Sequence, residues 1–422
     1  MVVELINTGA ELMLGRVLNT HQQWLCRRLA DLGYVVSRQV AVPDTAEGIE
    51  QAVREALGRA DLVITTGGLG PTSDDLTRDL IARLLGRTLQ EDGKVLAHIR
   101  QFFESRRRPM PDRTKVQAMI PEGATVLHNP NGTAPGLGME VRPNPFRADG
   151  KPSWLIMLPG PPRELRPMFT DTVVPLLRKA LPLPSVFVCR TLRTTGIGES
   201  MVQEKVAAPL QVCVDAGLEL GYCARPGQVD VRLSARGEQA ERVVRQAEAI
   251  VRPLLEPHLY AVEDEEIEGA IVRLLTERKA TLALAESCTG GGIANRITNV
   301  PGASAVLLAS LVTYSNAAKQ EFLGVQKATL ESHGAVSKEV AREMAEGARA
   351  RTGADYALAV TGIAGPGGGT EEKPVGTVFI GLASAAVTVV VRNLNPYDRE
   401  TFKLVTAQQA MELLRRKMVS EA

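Results

Sequence analysis

The chain has no surplus of either charge: 49 Lys and Arg stand against 48 Asp and Glu, a formal net charge of +1 over 422 residues. Proteins that grip nucleic acid through its phosphates carry a basic excess or stripe. Its absence argues against nucleic acid as a partner and leaves any anionic ligand to be held by local groups. Cysteine is scarce and unpatterned. Cys26, Cys189, Cys213, Cys223 and Cys288 are odd in number, widely spread and form no CxxC, which argues against a zinc or dithiol site and fits a reduced cytoplasm. The N-terminus lacks the basic start and apolar stretch of a secretory signal, and no run approaches the roughly 20 apolar residues that span a bilayer. A cytoplasmic protein without a membrane partner is the expectation. There is no internal repeat, and the five histidines (His21, His98, His128, His258, His333) show no Ser/His/Asp arrangement.

What is present is ample apolar content, 44% of residues, enough for several cores. At roughly 100 to 200 residues per domain the length suggests three. From Val2 to Ala180 short apolar runs (VVELINT, YVVSRQVAV, DLVITT, WLIMLPG) alternate with amphipathic segments, which predicts a parallel sheet covered by helices. The paired prolines after WLIMLPG suit the first turn of a helix. Pro182 and Pro184 mark a boundary. A short module then reads β-α-β-β-α and resembles half of a KH-like domain. The alternation resumes at Ile267 and closes on two consecutive strands and a helix. The expected architecture is α/β: two three-layer domains, residues 1–172 and 265–422, flanking a small KH-like α+β domain at 185–256.

In DLVITTGGLGPTSDDLT a buried-type strand runs into a glycine-rich loop and a helix start. Gly67, Gly68 and Gly70 permit close backbone approach, and the amides beside Thr72 attract an anion such as phosphate. Asp74 and Asp75 could hold a hard divalent cation against that phosphate, with Glu11 facing the same crevice. Locally, these glycines could equally only turn the chain and the acids only cap a helix. Asn131, Gly132 and Thr133 read as an Asn-Gly turn.

TLALAESCTGGGIANRI is the second chemical signal: an apolar strand, Glu286, Ser287, Cys288, Thr289, then Gly290, Gly291 and Gly292, and a helix. A hydroxyl at that turn is exposed at the sheet end, and amides at the helix start can stabilise an oxyanion, as in a nucleophile elbow. A plain Ser N-cap is the alternative. Without a histidine the base must be found elsewhere, and VTYSNAAKQ offers Tyr314, Asn316 and Lys319; a desolvated lysine can serve a Ser-Lys site. A further loop, with Thr361, Gly362, Gly365, Gly367, Gly368 and Gly369, could cradle a phosphate or be a flexible connection.

GAELMLGRVLNT, TTGGLGPTSDDLT, NPNGTAPGL and LPGPPREL resemble the molybdopterin-binding-type domain that opens proteins of the CinA family. AESCTGG, VTYSNAAK, HGAVS, GIAGPGGG and EEKPVGTV, in this order, resemble the nicotinamide-nucleotide amidase domain that ends them. For the first domain the resemblance implies a metal-dependent, potassium-stimulated ADP-ribose pyrophosphatase using Mg2+ or a similar ion, with Asn131, Gly132 and Thr133 in its nucleotide pocket and Asp74, Asp75 and Glu11 at the metal. For the last it implies hydrolysis of nicotinamide mononucleotide to nicotinic acid mononucleotide and ammonia, without a cofactor. There Ser287 would be the nucleophile, Tyr314 and Lys319 would assist proton transfer, and Arg399 would lie near the substrate. Cys288, Thr289, Gly290, Gly291, Asn316, Thr361, Gly362 and Gly365 would contact it. Family members also imply a homodimer. Tyr397 departs from the family pattern, which has glycine before the Asp-Arg pair. The family name and the KH-like module suggest the other reading, a nucleic-acid-associated competence or damage-response factor whose N-terminal domain only binds nucleotide.

Overall fold

Strands that are apolar along their whole length need cover on both faces, and the chain is built on such strands. In a computed structural model, which describes residues 1–421, the chain separates into two compact units, Met1–Phe187 and Val188–Ala422. In the first unit the fully buried β1 (Val3–Thr8) lies between β2 (Val36–Val42) and β3 (Leu62–Thr66). A small antiparallel pair, β4 (Leu89–Glu91) and β5 (Met119–Pro121), stands apart. With β6 (Thr125–Leu127), β7 (Gly136–Val141) and β8 (Ser153–Leu158) the main sheet has the order β2-β1-β3-β8-β7-β6.

The first four strands of that order are parallel, as the alternation implies, but β7 runs antiparallel to both its neighbours, β8 and β6. The expectation of a wholly parallel sheet is corrected here. The NPNGTAPG segment joins β6 to β7 too briefly for a crossover, and a short connection can link only antiparallel neighbours. One core gathers Leu25, Leu29, Leu165 and Phe169 against the sheet, and a second gathers Ile49, Val53, Ile81 and Ile99. Pro162 opens the helix Pro162–Met168, where its missing N–H costs nothing.

The second unit begins with an antiparallel sheet of β9 (Phe187–Thr195), β10 (Leu218–Arg225), β11 (Gln228–Arg236) and β12 (Leu259–Val262), in the order β10-β11-β9-β12. The helices Glu199–Asp215 and Ala240–Leu255 cover it. The second carries Val243, Val244, Ala247, Val251 and Leu255 on one buried stripe. The β-α-β-β-α order is present, and β12 adds a fourth strand against β9.

The last sheet holds β13 (Leu282–Glu286), β14 (Leu307–Val312), β15 (Tyr356–Gly362), β16 (Thr377–Ala383) and β17 (Thr388–Leu394), in the order β14-β13-β15-β16-β17. Alternation within its central strands sorts large from small. Leu282, Leu284, Leu358 and Val360 pack with the helices Ile267–Arg278 and Arg399–Ser420, while Ala283, Ala285, Ala357 and Ala359 pack beneath the helix Lys338–Thr352. The alanine face admits that helix closely: a Cβ on Gly381 would lie 2.5 Å from Ala341 O. All five cysteines are free, and among the described residues no helix is long and apolar enough to cross a membrane.

Candidate functional site

In the last sheet β14 lies on one side of β13 and β15 on the other, so the chains leaving β13 and β15 part at their carboxyl ends. Open α/β sheets bind ligands in that crevice. Ser287 is the first residue past β13, and its amide donates to Val360 O at 3.1 Å, which keeps it in line with the sheet. Together with Cys288, Tyr314, Lys319, Thr361 and Arg399 it lines a cavity of about 210 Å³.

Lys319 sits on the helix Asn316–Leu323, whose start is fixed by Ser315 accepting from Ala318 N at 3.1 Å. Its side chain is 1% exposed. The Nζ lies 3.0 Å from Ser287 Oγ and donates to Thr313 O at 2.8 Å. No carboxylate pairs with this amine among the described residues, and burial holds its pKa below the ordinary lysine range, opposed only by the neighbouring Cys288 sulfur. A neutral lysine has a lone pair where the serine proton must go.

Cys288, 5% exposed, has its thiol pushed up to about 12, chiefly by burial. It is therefore a thiol and not a thiolate at neutral pH, which removes it as a competing nucleophile. Tyr314 is exposed; its hydroxyl accepts from Arg399 Nη2 at 2.7 Å, and Arg399 Nη1 donates to Gly365 O at 2.9 Å. The guanidinium so ties the segment after β14 to the loop after β15. Thr361 donates from its hydroxyl to Ala335 O at 2.7 Å and, like Gly362, lines the cavity.

The expectation about the helix start is corrected. The fully buried carboxylate of Glu286 accepts from Gly291 N at 3.0 Å, Ile293 N at 3.1 Å and Ala294 N at 2.9 Å. Those amides are saturated and cannot hold an oxyanion. The amides of Cys288 and Thr289 turn instead to the Cys288 sulfur, a weak acceptor. Gly290 and Gly291 take positive φ, 61° and 91°, and turn the chain so that it doubles back on Glu286. Thr289 is fully buried with its hydroxyl unpartnered, and Asn316 is exposed; neither lines the cavity.

The first unit repeats the topology, with β2 and β3 on opposite sides of β1. A cavity of about 400 Å³ opens where β1 and β3 end, walled by Gly67, Gly68 and Gly70, by Thr133 and by Pro159, Gly160 and Pro161. A Cβ on Gly67 (φ 98°) would lie 2.6 Å from Thr8 Oγ1, so this wall requires glycine. Five carboxylates also line the cavity, from Glu11, Asp44, Asp74, Asp75 and Glu164, and no Lys or Arg does. Asp75 Oδ2 accepts from Thr72 N at 2.8 Å and from its hydroxyl, and Asp44 Oδ2 accepts from Ala10 N at 2.9 Å. No three acidic, His or Cys side chains converge to cage an ion among the described residues.

Glu164 and Asp44 were not singled out in the sequence, although LPGPPREL contains the first. Glu164 is 7% exposed, its pKa raised by burial against Asn129 and Arg163. Asn129 Nδ2 donates to it at 2.8 Å, and a Cβ on Gly132 would lie 2.0 Å from its Oε2. The NPNG segment thus seats Glu164; Thr72, Asn131 and Gly132 do not themselves line the cavity.

Residues 264–418 match the family described as "CinA C-terminal domain", residues 4–179 the "Probable molybdopterin binding domain" and residues 189–261 the "Damage-inducible protein CinA KH domain". The chain is 46% identical to a "CinA-like protein" of Akkermansia muciniphila over 97% of its length and 95% of that protein. It is 43% identical to a "Putative competence-damage inducible protein" of Caldicellulosiruptor bescii over 99% and 100%. A solved structure of competence/damage inducible protein CihA from Agrobacterium tumefaciens is 42% identical, covering 35% of this chain and 91% of that one, with a TM-score of 0.34.

Proposed function

The chain belongs to the CinA family, and from that premise we propose that it is a bifunctional pyridine-nucleotide hydrolase whose C-terminal site deamidates nicotinamide mononucleotide. The observation that carries the reading is the 3.0 Å contact between Ser287 Oγ and the Nζ of a lysine buried without a counterion. Lys319, whose burial favours the uncharged amine, accepts the serine proton as Oγ attacks the carboxamide carbon. The oxyanion that forms draws on the amides of Cys288 and Thr289, the donors nearest in sequence to the nucleophile, which exchange the weak Cys288 sulfur for a stronger acceptor. Protonated Lys319 then returns the proton to the departing nitrogen, releasing ammonia and leaving an ester on Ser287. Water, deprotonated by the same lysine, cleaves that ester to nicotinic acid mononucleotide. Tyr314, held by Arg399, faces the substrate from the rim. Ammonia release from nicotinamide mononucleotide tests this: Ser287→Ala abolishes it, and retention of full activity by that variant would remove the nucleophile.

For the first unit the reading is metal-dependent hydrolysis of ADP-ribose to AMP and ribose 5-phosphate. Five carboxylates and no cation around a glycine-walled cavity would repel a diphosphate. The donor set fits an ion shared between one or two carboxylates and the substrate's phosphates, which is how Mg2+ is commonly held. Such an ion would neutralise charge growing on the phosphate oxygens. Gly67, Gly68 and Gly70 admit the diphosphate against backbone, and Glu164 or Glu11 holds the attacking water. ADP-ribose cleavage with and without Mg2+ and K+ tests it. The nucleic-acid reading finds less support: the chain carries no basic excess with which to grip phosphates, its formal net charge being +1.

A further inference from the structure

The helix Arg399–Ser420 has two buried faces of opposite character. Phe402, Ala410, Met411, Leu414 and Met418 pack in the apolar core against the last sheet, whereas Gln408, Glu412 and Arg415 are buried although polar. That second face lies against loops of the KH-like module. A Cβ on Gly227, in the turn between β10 and β11, would lie 3.6 Å from Gln408 Cγ, and Arg415 Nη2 donates to Pro257 O. At its centre Gln408 Oε1 accepts twice, from Gln228 Nε2 of β11 at 2.9 Å and from Arg296 Nη2 at 2.9 Å. Tyr260 of β12 donates its hydroxyl to Gln228 Oε1 at 2.9 Å. One oxygen therefore joins the middle module to the helix Gly292–Thr298, which follows the Ser287 turn, and to the helix whose first residue is Arg399. Gln408 is 1% exposed, and its Nε2 has no partner among the described residues. A buried amide that orphans its own donor is poorly suited to adding stability; what it supplies is a fixed geometry among the groups its oxygen holds.

We propose that Gln408 and Gln228 are positioning residues of the amidase, so that the KH-like module is a working part of that site. With Arg296 also held by Glu268 at 2.7 Å, the two helices keep one spacing. The start of the first closes on Glu286, beside the nucleophile, and Arg399 on the second grips Tyr314 and Gly365. A shift between them moves Ser287 relative to the guanidinium at the rim, and misplacement by about 1 Å can cost a hundredfold in rate. Lys319 stands on neither helix, so its proton affinity is untouched. The proposal rests on the amidase reading.

The test uses the full chain as Gln408→Met, Gln228→Met, the double variant and Gln408→Glu, which keeps the acceptor. Ammonia release from nicotinamide mononucleotide and the rate at which a fluorophosphonate labels Ser287 are both followed across pH, with the urea midpoint as the check on folding. Each Met variant lowers kcat and the labelling rate about ten- to a hundredfold, the double variant is no slower than the singles, and Gln408→Glu recovers most of the loss. The rising limb of the pH profile stays where it is in the native chain. A merely structural role lowers the urea midpoint and leaves both rates unchanged below it, which overturns the proposal, as do losses that multiply in the double variant or persist in Gln408→Glu. A native chain that labels but releases no ammonia retires the substrate assignment alone, and labelling then decides the positioning role.

Discussion

Lys319 is where the account is most exposed to measurement. Its pKa is lower in the folded chain than in the unfolded one, so between those values the unfolded state binds more protons and stability rises with pH. Stability of the native chain should therefore climb relative to Lys319→Met as pH rises toward the ordinary lysine range, measured by urea unfolding across pH. Curves that stay parallel would show an amine with no shift. The amidase rate should climb over a limb lying below the ordinary lysine pKa, and Lys319→Met should cost about a hundred- to ten-thousandfold in kcat. At this scale the sequence was half legible. Ser287 and Lys319 were identifiable because their motifs resemble a family's, yet nothing local says that residues 32 apart meet at 3.0 Å. Glu286 was overlooked because a carboxylate before a serine reads as loop chemistry. Only the glycine turn that brings three amides back onto it reveals its work.

Those three bonds make the helix Gly292–Thr298 dependent on a residue of β13. Replacing Glu286 by Ala orphans three amides, that of Ile293 buried and the other two partly so, and should cost about 2 kcal/mol by chemical denaturation, with amidase activity falling as the Ser287 turn loosens. An unaffected midpoint would mean that water satisfies the turn. The opposite face offers a steric test. A Cβ on Gly347 would lie 1.8 Å from Leu323 O, so Gly347→Ala should push apart the helices Lys338–Thr352 and Asn316–Leu323 and destabilise by about 1–3 kcal/mol. Because the second of these carries Lys319, activity should fall with it. Elements were the most legible level: the run LALAE and the alternation in YALAVTG mark central strands, since a buried strand must be apolar on both faces. Strand direction was not. The reversal at β7 depends on a connection too short to cross over, and β12 pairs across a long sequence separation.

Across the whole chain two α/β sheets place their sites at the same topological position, the parting of loops beside a central strand. The chemistry differs because the lining differs: glycines and five carboxylates in the first unit, a serine, a buried lysine and an arginine in the second. The two activities should separate cleanly. A chelator should stop ADP-ribose cleavage while ammonia release continues, and Ser287→Ala should do the reverse; joint loss in either case would mean one site serves both. The central claim is that Ser287 forms an ester during amide hydrolysis. Acid-quenching the protein during turnover of nicotinamide mononucleotide and mapping its peptides by mass should find the acyl group on Ser287 and none in Lys319→Met. Turnover with the label on Cys288, or with Ser287 unmodified at every quench time, would contradict it.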